Sequence, residues 1–311
     1  MRYLGLAVVF LLLGCGGGSS SSPGSSWQPS PLIYQLQNMN PDQMASSGTE
    51  ILITDYSQDG TDQGQYTTAQ IAQIKNTGTT VLCYLSVGEA EDYRFYWDAS
   101  WESSPPSWLG AENPEWAGNY KVKYWESGWF DTVLTPYLDR LTGMGCSGAY
   151  LDIIDAFEYW PNVAGSAVYE DEAAAAHLMI GLVERVAAYA RAIDPAFLIY
   201  PQNGEWILDY DDNGSYQAAV SGIGIEDLFY HEADPYDSSW STGRSAYLDT
   251  LKNAGKTILI TDYVDDGSGY AGVNKTRIDD FLTRIQAKGY WGFAARSDRE
   301  LDRGTGYGVK P

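Results

Sequence analysis

Gly148-Ala149-Tyr150-Leu151-Asp152-Ile153 carries no charge until its carboxyl end, where Asp152 stands. On either side lie segments with apolar residues three and four apart, Phe130 to Leu141 and Tyr169 to Ile193. A short apolar strand between two amphipathic helices predicts one strand of a parallel sheet, covered by helices and presenting a carboxylate at its tip. The pattern repeats outward in both directions. Strand-like runs recur at Leu32 to Leu36, Ile51 to Tyr56, Thr80 to Leu85, Phe197 to Tyr200, Gly222 to Glu226, Thr257 to Tyr263 and Tyr290 to Ala294. Helical spacing marks Thr68 to Asn76, Ser245 to Asn253 and Lys275 to Ala287. Gly78, Gly143, Gly255 and Gly289 stand just before strands, as C-caps in tight αβ loops do. Eight strands alternating with helices predict a single-domain α/β fold, a (β/α)8 TIM barrel over residues 32–311. An open doubly wound sheet would need a glycine-rich turn after the first strand, and Gln35 to Asn40 contains no glycine.

The 311 residues hold 19 Lys and Arg against 41 Asp and Glu, a formal charge of -22. Such a surface repels phosphate backbones, so nucleic acid is excluded as a partner. Two histidines and three scattered cysteines cannot furnish an ordinary zinc or iron centre, so no metal or other cofactor is expected. The chemistry falls to carboxylates.

At the N-terminus, Met1-Arg2 and the apolar run Leu4 to Leu13 read as a signal peptide over residues 1–14, too short to span a bilayer as a helix. Leu13-Gly14-Cys15 resembles a bacterial lipobox, which makes Cys15 the lipid anchor. Residues 15–31, rich in Gly, Ser and Pro, form a flexible tether. The mature domain is thus expected outside the cytoplasm, held to the membrane by lipid alone, and in the outer membrane if the cell has two. Cys83, inside an apolar strand, is expected as a buried free thiol, unpaired with Cys146.

In a barrel the site gathers at the carboxyl ends of the strands. Gln37 and Asn38 follow the first strand, and Asp55 ends the second. Glu89, Glu91, Asp92 and Arg94 follow the third, and Asp152 and Asp155 the fourth. Gln202, Asn203 and Glu205 follow the fifth, Glu226 and Asp227 end the sixth, and Asp262 ends the seventh. Acids therefore converge on one rim. Residues 88–128 carry Trp97, Trp101, Trp108, Trp116 and Trp125, five of the chain's 11 tryptophans, which can stack on sugar rings or pack the segment itself. Two carboxyls in an aromatic cleft are the equipment of a glycosidase: one protonates the departing oxygen, the other attacks the anomeric carbon or activates water. Asp209-x-Asp211-x-Asn213-Gly214 opens like a calcium loop, but Val220 occupies the twelfth position. His231 reads as a structural or cleft-lining residue.

Val81-Leu82-Cys83-Tyr84-Leu85-Ser86-Val87-Gly88-Glu89-Ala90-Glu91-Asp92-Tyr93-Arg94, then Gly148 to Asp155, then Asn203-Gly204-Glu205 resemble the endo-α-1,4-polygalactosaminidase family, glycoside hydrolase family 114. The resemblance spans about residues 32–295. It implies metal-free hydrolysis of galactosamine and N-acetylgalactosamine polymers, with Asp152 as the fourth-strand catalytic aspartate and Glu205 as the glutamate after the fifth strand. Glu226 is the reserve for that second role. Asp55, Glu89, Glu91, Arg94, Trp97, Trp125, Asp155, Asn203 and Asp262 are expected to bind substrate. The segment Asp92 to Gly128 is closer to the family's uncharacterised relatives. The expected partner is a polysaccharide, with a cationic aminosugar polymer favoured by the acidic rim, and the chain is expected to act as a monomer. The alternative reading is a lipid-anchored carbohydrate-binding protein whose barrel is inactive.

Replacing Cys15 by Ser should move the protein from the membrane fraction to the soluble fraction. Continued membrane association would overturn the anchor.

Overall fold

A computed structural model describes residues 30–231 and 233–311. The expected signal peptide, Cys15 and nearly all of the tether lie outside these residues. Each of the eight expected runs is a strand: β1 (Leu32–Tyr34), β2 (Ile51–Thr54), β3 (Thr80–Ser86), β4 (Gly148–Asp152), β5 (Leu198–Pro201), β6 (Gly222–Glu226), β7 (Thr257–Asp265) and β8 (Trp291–Arg296). β1 to β5 pair in order as one parallel sheet, and β6, β7 and β8 pair in order as a second. Both faces are covered, which is why β4 and β6 are buried along their whole length. One parallel bridge, Gln202 to Gly224, links β5 to β6. At the other seam the antiparallel pair Gly308–Val309 lies along β8. The fold is α/β with eight parallel strands, and the ladder is not continuous around all eight.

Tyr34 of β1 and Tyr150 of β4 meet edge to face across the interior, ring centres 5.4 Å apart. Gly224 leaves room for that filling, since a Cβ there would lie 1.8 Å from the Tyr150 hydroxyl.

The covering helices follow the expected spacing with shifted ends. Thr68–Lys75 starts on a capping box of Thr67 and Gln70. The helix expected from Phe130 begins at Ser127 and passes through a π turn, Phe130–Leu134, before continuing as Thr135–Met144. The wide turn sits just before Pro136, whose ring cannot donate to the carbonyl one turn back. Gly145, at φ +87°, caps this helix in place of the expected Gly143. Ser238–Asn253 begins seven residues before the apolar spacing does, because Asp237 caps it through the N–H of Ser239.

Two expectations are corrected. Residues 88–128 are more than a loop: Glu89–Glu91, Asn119–Val122 and Leu109–Glu112 form a small antiparallel sheet over the carboxyl ends of the strands. Cys83 and Cys146 are joined in a disulfide. Pairing of Cys83 with Ala149 brings the approach to β4 alongside β3. The two Cα atoms then stand 6.1 Å apart, within bridging range, so burial of Cys83 does not keep it from its partner.

The bridge closes a loop of 63 residues. In the chain-entropy model it stabilises the fold by about 4 kcal/mol. Replacing both cysteines by alanine should lower the unfolding free energy by roughly that amount in denaturant titration, and an unchanged midpoint would contradict it.

Candidate functional site

Asp152 is the last residue of β4, fixed by ladder bonds to β3. Its Oδ2 accepts the Tyr84 hydroxyl at 2.8 Å, and its Oδ1 accepts the N–H of Ile153 at 2.9 Å. Glu226 is the last residue of β6. The hydroxyl of Tyr263, from β7, donates to its Oε1, and the Gln202 amide donates to its Oε2. Asn203, following β5, holds Glu226 at both ends: its amide donates to Oε2 at 3.4 Å and its carbonyl accepts the Glu226 N–H at 2.9 Å. Tyr34 steadies Gln202 from β1 at 3.0 Å. Asp152 and Glu226 line one pocket with Tyr34, Tyr84, Glu91, Arg94 and Gln202.

Burial pushes both carboxyls upward, Glu226 to about 7 and Asp152 well above the usual carboxylate range. After burial, the charge of Glu226 is the largest influence raising Asp152. The charge on Glu226 thus bears directly on the protonation of Asp152. When the proton sits on Glu226, its push on Asp152 vanishes, and the Tyr84 and Ile153 donors stabilise Asp152 as the anion.

Arg94 organises the adjacent wall. Its guanidinium grips Glu91 through two nitrogens, at 2.7 and 3.1 Å, and reaches Asp55 of the second strand end at 2.7 Å. It also lies against the rings of Tyr56, Tyr84 and Tyr93. Burial lifts Asp55 to about 6 against the pull of Arg94. Glu89 and Asp155 belong to a neighbouring pocket with Lys121.

Three sets of expected site residues lie outside the pocket that holds Asp152 and Glu226. Glu205 is fully buried, and both its oxygens are taken by Arg244, at 3.1 Å for Nη2 with Nε also in contact. It does not line the pocket that holds Asp152 and Glu226. The arginine on its carboxylate, 39 residues away, was not legible in the sequence. Arg244 also donates to the carbonyls of Glu226 and Asp227, at 3.0 and 3.1 Å, so the pair braces the end of β6. Asp262, expected to touch substrate, is fully buried and accepts the N–H groups of Leu228, Phe229 and Tyr230. It shapes the turn after β6. The tryptophans pack mainly on one another: Trp97 on Trp101 and Tyr120, Trp101 on Trp108, Trp108 on Trp129, and Trp125 on Trp160. Trp108 and Trp116 are buried, while Trp97, Trp101 and Trp125 stay partly exposed.

Asp211 accepts the N–H groups of Tyr216 and Gln217, and Asn213 that of Ser215, so the calcium-like run is a helix-starting turn. His231 is exposed against Tyr236. Tyr34, Tyr84, Tyr263 and Arg244 were not singled out as site residues in the sequence. For Tyr84 a signal exists: it faces Tyr150 across the ladder, two residues before Asp152 and therefore on its side of the sheet.

The model of glycoside hydrolase family GH114 matches residues 18–303. The chain belongs to glycoside hydrolase family 114. It is therefore a glycoside hydrolase. Uncharacterised proteins of Thermotoga maritima and Methanocaldococcus jannaschii are 46% and 43% identical to this family member over 270 residues, covering 87% and 86% of it and 81% and 76% of their own lengths. The glycoside hydrolase domain of PelA from Pseudomonas aeruginosa superposes with a TM-score of 0.64 at 17% identity, over 92% of this chain and 99% of that one. Aspergillus fumigatus Ega3, solved in complex with galactosamine, gives 0.64 at 16% identity, over 94% and 100%. At such identities the likeness is one of fold.

Burial raises Glu226 and Asp262 to about 7, and Asp55 and Asp155 to about 6. A carboxyl raised on folding contributes most stability while protonated, so the native state binds more protons than the unfolded chain between about pH 4 and 7. Thermal stability should fall as pH rises through that window. A melting temperature that is flat or rising from pH 5 to 7.5 would contradict these burials.

Proposed function

We propose that this family member is an endo-acting hydrolase of α-1,4-linked galactosamine and N-acetylgalactosamine polymers, with Asp152 and Glu226 as its catalytic pair. The observation that carries the assignment is that these two carboxyls line one pocket, while Glu205 is held by Arg244. Glu226, raised to about 7, suits a group that must give a proton and take it back near neutral pH. In the first step its proton passes to the glycosidic oxygen as the C–O bond breaks, and Asp152 attacks the anomeric carbon. Water then displaces Asp152, and Glu226 recovers the proton from that water. The rigid end of β4 and the Tyr84 and Ile153 donors hold Asp152 to the tolerance such attack needs. The amino-sugar preference draws support from family membership, the charge of -22, and the galactosamine found in the Ega3 structure.

The eight strands are read as a closed barrel, supported by the Gln202–Gly224 bridge and by β8 lying beside β1. Within the same reading the protein works outside the cytoplasm as a monomer, tethered through Cys15.

Reducing-end release from a panel of aminosugar polymers tests the reaction. Asp152→Asn should lower kcat by about a thousandfold or more on every substrate, with the melting temperature preserved. Glu226→Gln should lose the polymer equally yet retain aryl glycosides whose leaving groups need no proton. Polymer cleavage that survives Glu226→Gln and disappears in Glu205→Gln would return the acid to Glu205.

A further inference from the structure

Asp227 and Arg299 stand 72 residues apart, and both have left-handed backbone, with φ of +52° and +59°. Residues other than glycine are uncommon there, and these two meet side chain to side chain: Arg299 Nη2 donates to both Asp227 oxygens, at 2.9 and 2.8 Å. Asp227 follows β6 and Arg299 follows β8, while β7 pairs with both strands and lies between them. The arginine therefore crosses the carboxyl end of β7 to reach its partner. Tyr263 is what it crosses on, with the guanidinium carbon 4.0 Å from the centre of the ring.

The ion pair engages one nitrogen of the three. Nε and Nη1 are buried with no hydrogen-bond partner among the described residues. The guanidinium is thus met by a single carboxylate and by the π face of Tyr263. A cation over a phenol ring stabilises negative charge on the phenol oxygen, which makes the hydroxyl a stronger donor. That hydroxyl donates to Oε1 of Glu226. Arg299 and Glu226 are therefore linked through one ring without a direct ion pair, which would hold Glu226 permanently ionised.

The other groups around Glu226 leave this link a distinct task. Asp152 and Tyr150 from β4, Tyr34 from β1 and Asp227 on its own turn can only add negative charge. Arg244 meets its carbonyl. Burial raises Glu226 to about 7; against that rise the Tyr263 hydrogen bond acts most strongly and the charge of Arg299 next.

We propose that Arg299 is a positioning residue for Glu226: acting through the Tyr263 ring, it strengthens the hydroxyl that holds the Glu226 carboxylate and so sets how firmly the acid keeps its proton. Its part in the reaction rests on the reading of Glu226 as the acid.

Two readouts are taken together on wild type, Arg299→Met, Tyr263→Phe and the double variant. Carboxyl-carbon NMR follows the titration of Glu226 without turnover. The alkaline limb of kcat/KM on a fully N-acetylated α-1,4-galactosamine oligomer, which has no titrating amine, follows the acid at work. Arg299→Met removes the cation, so both should move to higher pH, by about half a unit or more. With Tyr263→Phe already in place, most of that shift should disappear. If Arg299→Met fails to fold for want of a partner for Asp227, the same comparison on an Asp227→Asn background leaves no buried acid unpaired, and the same upward shift is expected. A Glu226 titration that Arg299→Met leaves unmoved or moves to lower pH, or that moves as far without the Tyr263 hydroxyl as with it, would overturn the role of Arg299. A titration that moves while the alkaline limb stays in place would keep the link from Arg299 to Glu226 and defeat the assignment of Glu226 as the acid.

Discussion

Two carboxyls, Asp152 and Glu226, are buried within each other's field at the mouth of a parallel sheet, and most of the surrounding polar structure exists to tolerate that arrangement. Burial disfavours each charged form, and a charge on Glu226 further disfavours one on Asp152. The protein answers with hydroxyls and amides: Tyr84 on one side, and Tyr263, Gln202 and Asn203 on the other. These partners stabilise an anion without adding a countercharge that would fix which carboxyl holds the proton.

Countercharges appear one step farther out, where they secure backbone. Arg244, neutralised by Glu205, ties down the carbonyls of Glu226 and Asp227. Arg299 clamps Asp227 through both carboxylate oxygens, at 2.9 and 2.8 Å. Asp227 has a φ of +52°, in the left-handed region that few residues other than glycine adopt and that Asp tolerates better than most, and these ties hold the turn after β6 there. Asp262 completes them from β7 by capping three amides in that turn. The acids that line the strand ends thus divide into a pair left to exchange a proton and a larger group that holds the pair in place.

This division explains what the sequence could and could not show. Continuous apolar runs between amphipathic helices report burial on both faces, and all eight strands were legible from them. Asp152 was legible because its position at the end of such a run fixes its direction. Glu205 was placed ahead of Glu226, because the contact that separates them, Arg244 on Glu205, joins residues 39 apart and leaves no local mark. Asp262 looked like a site acid because its expected run, like that of Asp55, ends in Asp-Tyr. Yet the β2 copy pairs with Arg94, and the β7 copy binds only amides. The disulfide and the covering sheet were missed for the same reason, since pairing between strands leaves no local mark in either strand.

The coupling of Asp152 to Glu226 is the claim on which the rest stands, and carboxyl-carbon NMR titration of the free protein tests it directly. The account predicts that Glu226→Gln, by removing the neighbouring charge, moves the titration of Asp152 to lower pH. An Asp152 titration that does not respond to Glu226→Gln would contradict it.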